Sequence, residues 1–448
     1  MTAGMAGRTE RMEGSSEEDS GDVVGGRSEP LSVLVSAYAC GPHWGSEIGM
    51  GWNWVTHLAR YCRLRIITEC EFRDYILDAI GSLHLAYAPR FHFIDIGEKA
   101  RRRCWNSGDW RFYVDYRRWQ LAAYRAAKDL ASTESFDVVH QLNMIGYREP
   151  GFLWRLRNPF VWGPIGGHVQ MPWRFLPMLG PSGMLYNTAR NVVNALQMRL
   201  SRRVRLAARR ADVLIAATAE DQAALTRIHR RPCILLNEQG ATVSASRVSR
   251  ELYGSARPLR LVWCGTLMSS KALPIALGAL AQASRKTNLE LHIIGEGHQG
   301  PRWRAQAARL SIERFCHWHG RVEHTRCLAM ISRSDCMLVS SLKEAASTVV
   351  LESLSLGVPV ICHDMCGFGA VVNDTCGIKV PVISPRHSVE GFASAIVFLA
   401  THPETLARLS EGALRRAREL SWDQMARRMV QAYRDAIRDA CRRDQRTS

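Results

Sequence analysis

Apolar residues in this chain come in short continuous runs separated by amphipathic stretches. LSVLVSAYAC (31–40) ends in small residues and a Gly-Pro turn, and a helical pattern from Trp52 to Tyr61 follows it. LRIIT (64–68), FHFIDI (91–96), DVVHQL (137–142), PFVWGPI (159–165), ADVLIAAT (211–218) and PCILLN (232–237) repeat the run, with helical stretches between them. Short runs of this kind predict strands buried on both faces, and their alternation with helices predicts a parallel sheet. A polar, weakly patterned stretch from Glu238 to Arg257 interrupts the series. The alternation then restarts with LRLVWCGTL (259–267), LELHIIGEG (289–297), FCHWHG (315–320), DCMLVSS (335–341) and PVICHD (359–364). Helices are predicted over Leu273–Ser284, over Arg302–Leu310 and after Ser347. The expected fold is α/β: two Rossmann-like doubly wound domains facing across a cleft. The first spans 31–240 and the second 241–420, with a tail over 1–30 and a closing helix over 421–442 that is expected to cross back onto the first domain.

Parallel sheets bind ligands beyond the carboxyl ends of their strands, where the strand order reverses, so the loops after the strands are where chemistry is sought. KEAASTVVLESLSLGVPVI (343–361) follows one strand and leads into another. Ser347 and Thr348 are good helix caps, and the backbone N–H groups around Thr348 and Val349 have no partner within the helix they begin. An anionic diphosphate would satisfy them. Glu344 precedes this helix and is placed to meet a sugar, while Glu352, one turn in, is placed to reach a ribose. Spacing alone favours two solvated glutamates at a helix end. Lys271 follows LRLVWCGTL by a short loop and is a point charge for phosphate; it is one of only six lysines in an arginine-dominated chain. Gly45 and Gly49 in GPHWGSEIGMG, and Gly295 in GEG (295–297), offer close backbone approach or plain turns. His140 ends its strand and is a candidate to donate to a sugar hydroxyl or move a proton, the competing reading being a satisfied structural histidine.

Composition narrows the class. With 448 residues and 46% hydrophobic content the chain can bury two cores, and no run approaches the ~20 apolar residues of a membrane span. Residues 1–30, rich in Gly, Ser and Glu, read as a disordered acidic tail with no signal-peptide core. Thirteen cysteines without a CxxC pair suit reduced thiols in a cytoplasmic protein. Cys362, His363, Cys366 and Cys376 are the nearest approach to a metal site, at a spacing no common zinc module uses. The formal charge is +17, although the tail carries three Arg against seven acids. Seven arginines and no acid lie between Pro181 and Ala211, a surface that attracts phosphates in nucleotides, lipid or glycan. Within 185–210, Leu185, Val192, Val193, Leu196, Leu200 and Val204 are the apolar positions of an anionic-membrane contact; the strand that follows directly favours ordinary packing of that helix instead. No aromatic-rich basic strand or recognition helix supports a nucleic-acid partner.

Together these segments resemble glycosyltransferase family 4, the retaining sugar transferases of GT-B fold, from Leu31 to about Tyr433. EAASTVVLE with SLSLGVPVI is similar to that family's paired-glutamate motif and GTLMSSKALPIAL to its phosphate loop, and SWD (421–423) before the last helix is typical. WGSEIGMGWNW, YREPGFLWRL and VWGPIGGH resemble bacterial members that build exopolysaccharide or cell-envelope glycans. The resemblance implies a nucleotide-diphosphate sugar donor, a glycan or lipid-linked acceptor, no metal or other cofactor, and a cytoplasmic enzyme that can sit at the inner face of the plasma membrane. It assigns Glu344 to the transferred sugar, Glu352 to the ribose and Lys271 to the diphosphate. Gly265, Thr266, Arg321 and Val322 join the donor-binding set. Thr266 stands where the phosphate loop usually carries an arginine, for which Arg321 is a substitute candidate, and Leu142 stands where a second histidine is common. These two departures motivate the alternative of a catalytically weak sugar-nucleotide-binding or scaffold component of an envelope-glycan complex.

Overall fold

The computed structural model describes residues 29–104, 109, 111–243, 253–254, 257–345 and 348–447; nearly all of the acidic tail, and Ser347, lie outside them. The apolar runs form two parallel sheets. The first contains β1 (Ser32–Ala37), β2 (Arg63–Glu69), β3 (Arg90–Ile94), β4 (Val138–Asn143), β5 (Phe160–Ile165), β6 (Val213–Ala216) and β7 (Cys233–Leu235), in the order β3-β2-β1-β4-β5-β6-β7. The second contains β8 (Leu259–Cys264), β9 (Leu289–Ile294), β10 (Cys316–Gly320), β11 (Cys336–Val339), β12 (Val360–His363) and β13 (Gly377–Val380), in the order β10-β9-β8-β11-β12-β13. β4, β5, β6, β11 and β12 are buried at every position, because helices cover both faces of the sheet and leave no solvent side to alternate toward. Each sheet winds outward, returns and continues on the other side, so its order reverses between β1 and β4 in the first and between β8 and β11 in the second.

Each half lends a segment to the core of the other. Met171, Phe175 and Leu176, which follow β5, are buried with the second sheet's core, where the Phe175 ring lies 6.1 Å from His363. In return the last helix, Trp422–Thr447, buries Trp422, Met425, Met429 and Tyr433 in the first core. Trp422 meets Trp54 edge to face at 5.6 Å.

The arginine-rich region divides into two helices. Arg202–Arg210 buries Val204, Ala207 and Ala208. Along Gly180–Leu200, however, Leu185, Val192, Val193, Leu196 and Leu200 are exposed, Leu185 at 72% and Leu200 at 68%. Ordinary core packing therefore accounts for Val204 and not for those five. No described helix is long and apolar enough to cross a membrane. The described cysteines are free thiols, and Cys362, His363, Cys366 and Cys376 do not converge as ligands: His363 is instead bonded to Ser341 O and Ser388 Oγ.

Candidate functional site

The loops after β8 and β11, the strands that flank the second sheet's reversal, are tied together. Leu342 N donates to Ser270 O at 2.8 Å, and Ser340 Oγ donates to Lys271 O at 3.0 Å while accepting from Trp263 Nε1 at 3.1 Å. These bonds set the Lys271 ammonium against the Glu344 carboxylate, and the two form an ion pair. Both are largely withdrawn from water, at 19% and 12% side-chain exposure. Burial lowers the Lys271 pKa from its ordinary value. Glu344 Oε2 is buried without a hydrogen-bond partner, and Glu344 N donates to Cys366 Sγ at 3.3 Å. A desolvated cation beside an unfilled acceptor is suited to a ligand that brings both negative charge and hydroxyl groups.

The turns around this pair need glycine. Gly265 has φ +159° and Gly295 φ +130°, and a Cβ on Gly295 would stand 2.0 Å from Gly265 O. The backbones after β8 and β9 are thus packed directly on one another. The helix Thr348–Ser355 begins four residues after Glu344 in sequence, with Thr348 exposed, Val349 half-buried and Val350 buried. Glu352 accepts a hydrogen bond from His324 at 2.8 Å. Thr266 is exposed, as is Arg321 just after β10; β9 lies between β10 and β8, so Arg321 follows a strand two places from the one that precedes Thr266. Val322 packs at the edge of the core under this face.

In the first half the sequence reading needs one correction. His140 does not line the cleft. It is fully buried, its Nε2 donates to Gly163 O at 2.6 Å, and its Nδ1 accepts from Tyr433 OH at 2.8 Å. Burial pulls its pKa down to about 4, so the ring is neutral and fully engaged in holding the last helix. A Cβ on Gly45 would meet nothing within 4 Å, so the space beside its backbone is open. Gly49 and Gly51 are packed closely against protein backbone, with Cβ positions 2.0 Å from Trp44 O and 2.1 Å from Ala39 O.

Several groups escaped the sequence reading because loops distant in sequence assemble them. Glu47, at the start of the helix after β1, is bonded to the backbone of Ile145, beyond β4; burial raises its pKa to about 7. The two halves face each other where a Cβ on Gly166 would stand 3.7 Å from Ala345 Cβ. Glu220 of the first half accepts from Cys366 N of the second at 2.7 Å. Lys343, next to Glu344, is held at about 8 by burial and by the charges of Arg190 and Arg148. Of these, only the arginine excess gave a signal in the sequence.

Residues 255–416 match the family described as "Glycosyl transferases group 1". A glycogen synthase of Mycobacterium tuberculosis is 29% identical over 184 residues, 40% of this chain and 44% of that protein. A D-inositol 3-phosphate glycosyltransferase of Rhodococcus erythropolis is 31% identical over 185 residues, 39% of this chain and 41% of that protein. The chain thus spans less than half the length of these relatives. Over the whole molecule, a glycosyltransferase structure from Rickettsia africae superposes with a TM-score of 0.58 at 13% identity, covering 92% of this chain and 99% of that one. HepE from Anabaena, solved with UDP, gives 0.56 at 15% identity, covering 90% and 99%. The architecture of two facing Rossmann-like domains is that of the GT-B glycosyltransferases.

Proposed function

We propose that this chain is a retaining glycosyltransferase that takes its sugar from a nucleotide-diphosphate donor and passes it to a glycan or lipid-linked acceptor without a metal ion. The observation that carries the reading is the Lys271–Glu344 pair at the second sheet's reversal, with one carboxylate oxygen unfilled. The match over residues 255–416 covers this pair, and the HepE structure holds UDP.

In this reading the diphosphate lies against the start of the Thr348–Ser355 helix and the stacked turns at Gly265 and Gly295. Lys271 turns from Glu344 to the phosphates, and its desolvation makes each contact stronger than it would be in water. Glu344 accepts from hydroxyls of the sugar, and Glu352 from the ribose. The anomeric carbon–oxygen bond to the diphosphate breaks as the acceptor oxygen bonds to the same face. The departing phosphate oxygen takes the acceptor's proton. The chain's main catalytic task is therefore to stabilise charge on the leaving diphosphate, with lysine and backbone amides doing what a divalent ion would otherwise do. The arginine-rich first half and the exposed apolar side chains of Gly180–Leu200 support work at the cytoplasmic face of a membrane, in polysaccharide or cell-envelope synthesis.

Screening nucleotide sugars by thermal shift, then assaying transfer with the donor that stabilises most, tests the reading. A donor at 100 times its Kd adds about 2.7 kcal/mol to the stability of the folded state. If no nucleotide sugar raises the melting temperature and no donor is hydrolysed or transferred, the reading fails. Donor binding without turnover would select the scaffold alternative.

A further inference from the structure

An open cavity of about 650 Å³ lies in the first half between the helices Arg111–Thr133 and Gly180–Leu200. Its walls are aromatic and aliphatic, with Tyr113, Tyr147, Tyr186 and Val193 among them, and four arginines reach it. Two of the four share one carboxylate: Glu149 pairs with Arg117 at 2.6 Å and with Arg203 at 2.8 Å. The other two have no carboxylate partner among the described residues. Arg148 donates to the neutral amides of Gln197, at 2.8 Å, and Asn194. Arg190 Nη1 is buried with no hydrogen-bond partner, and burial together with the Arg148 charge holds its pKa below the usual value. Lys343 of the second half does not line the cavity, but the charges of both arginines help to depress its pKa. Three cations that repel one another have thus been brought together from two halves of the molecule, and an anion between them would relieve the repulsion. Beyond the tyrosines the wall continues onto a helix whose Leu185, Leu196 and Leu200 side chains face water at 72%, 49% and 68% exposure.

We propose that this cavity binds the acceptor, and that the acceptor is a phosphate carried on a hydrophobic chain, its phosphate held by Arg148 and Arg190 in the field of Lys343 and its chain laid along Tyr186, Val193 and the Gly180–Leu200 helix. Arginine forks suit phosphate oxygens, and a neutral sugar would need neither the uncompensated positive charge nor the apolar wall. Because Lys343 adjoins Glu344, the phosphate end of the acceptor is the end nearest the transferred sugar. The proposal rests on the transferase reading for the word acceptor, while the binding itself can be measured without it.

The purified full chain is titrated with decyl phosphate below its micelle concentration, with inorganic phosphate, with decyl maltoside and, separately, with UDP. Wild type is expected to bind decyl phosphate at least tenfold more tightly than either inorganic phosphate or decyl maltoside. Arg148→Gln with Arg190→Gln lowers that affinity at least tenfold and leaves UDP affinity within twofold. Arg190→Gln alone removes a repelled charge with an unpartnered nitrogen, so it weakens decyl phosphate binding without lowering the melting temperature, which separates loss of the site from loss of the fold. Equal binding of decyl maltoside would reduce the cavity to a greasy surface, and equal binding of inorganic phosphate would remove the hydrophobic chain; either overturns the proposal. So does unchanged decyl phosphate affinity in the double variant. Failure of UDP to bind while decyl phosphate binds as expected would count against the donor site alone.

Discussion

Lys271 and Glu344 hold each other at 19% and 12% exposure, so removing one charge strands the other. Lys271→Met is expected to lower transfer by about 10²–10³-fold, the range for losing one donor that stabilises a developing anion. It should also cost about 3 kcal/mol of stability by leaving a poorly hydrated carboxylate alone. Adding Glu344→Gln should restore the stability, read in denaturant melts, and leave transfer lost; recovery of both together would make the pair merely structural. This pair was legible in the sequence because each member follows a strong apolar run by a short loop, and the reversal rule brings such loops together. Glu47 was not, because what singles it out is its burial against Ile145. The folded protein binds the Glu47 proton up to about pH 7, whereas the unfolded chain releases it near pH 4.3. Protons bound by the folded state in that window make stability fall as pH rises through it. Glu47→Gln is expected to flatten that fall between pH 4.5 and 7, measured as melting temperature against pH; a slope equal to wild type would mean the carboxyl is ionised throughout.

Among the elements, the last helix packs into the first core, and its contact with His140 is what the sequence did not show. The strand-end position of His140 suggested chemistry, but a strand that reaches the carboxyl end of a sheet can still face a covering helix, and Tyr433 closes on it. The native state keeps this ring neutral down to about pH 4, while the unfolded chain takes up a proton near 6.5. The unfolded state therefore binds more protons between those values, and stability falls as pH drops from 6.5 to 4, by up to about 3 kcal/mol from this one group. His140→Gln, which retains a donor and an acceptor, should show a shallower acid loss; an unchanged acid slope would refute the assignment. Strand existence was read well where runs were long and buried. β13, only Gly377–Val380 and half-buried at its two central positions, offered too short a pattern to detect. The helix Gly180–Leu200 was ambiguous for the opposite reason: it has apolar residues enough to pack, and the structure leaves five of them in water.

At the scale of the molecule, the exchange of segments makes two sheets behave as one body. Phase-separate unfolding of two Rossmann-like halves would be the default if only a linker joined them. Here the second core contains Phe175 from the first half, and the first core contains Trp422, Met429 and Tyr433 from the end of the chain. Unfolding either half strips buried apolar surface from the other, so heating should give a single calorimetric transition with calorimetric and van't Hoff enthalpies in agreement. Phe175→Ala tests the coupling. The side chain is fully buried between His363 and the second core, and its truncation should cost about 3–5 kcal/mol. If Phe175 is one of the ties, the loss appears as a downward shift of the whole transition or as its division into two, with the donor-stabilised half melting later when a nucleotide sugar is present. A variant that melts at the wild-type temperature, still in one step, would show that the strap after β5 carries none of the cohesion between the halves, and that the closing helix alone holds them in register.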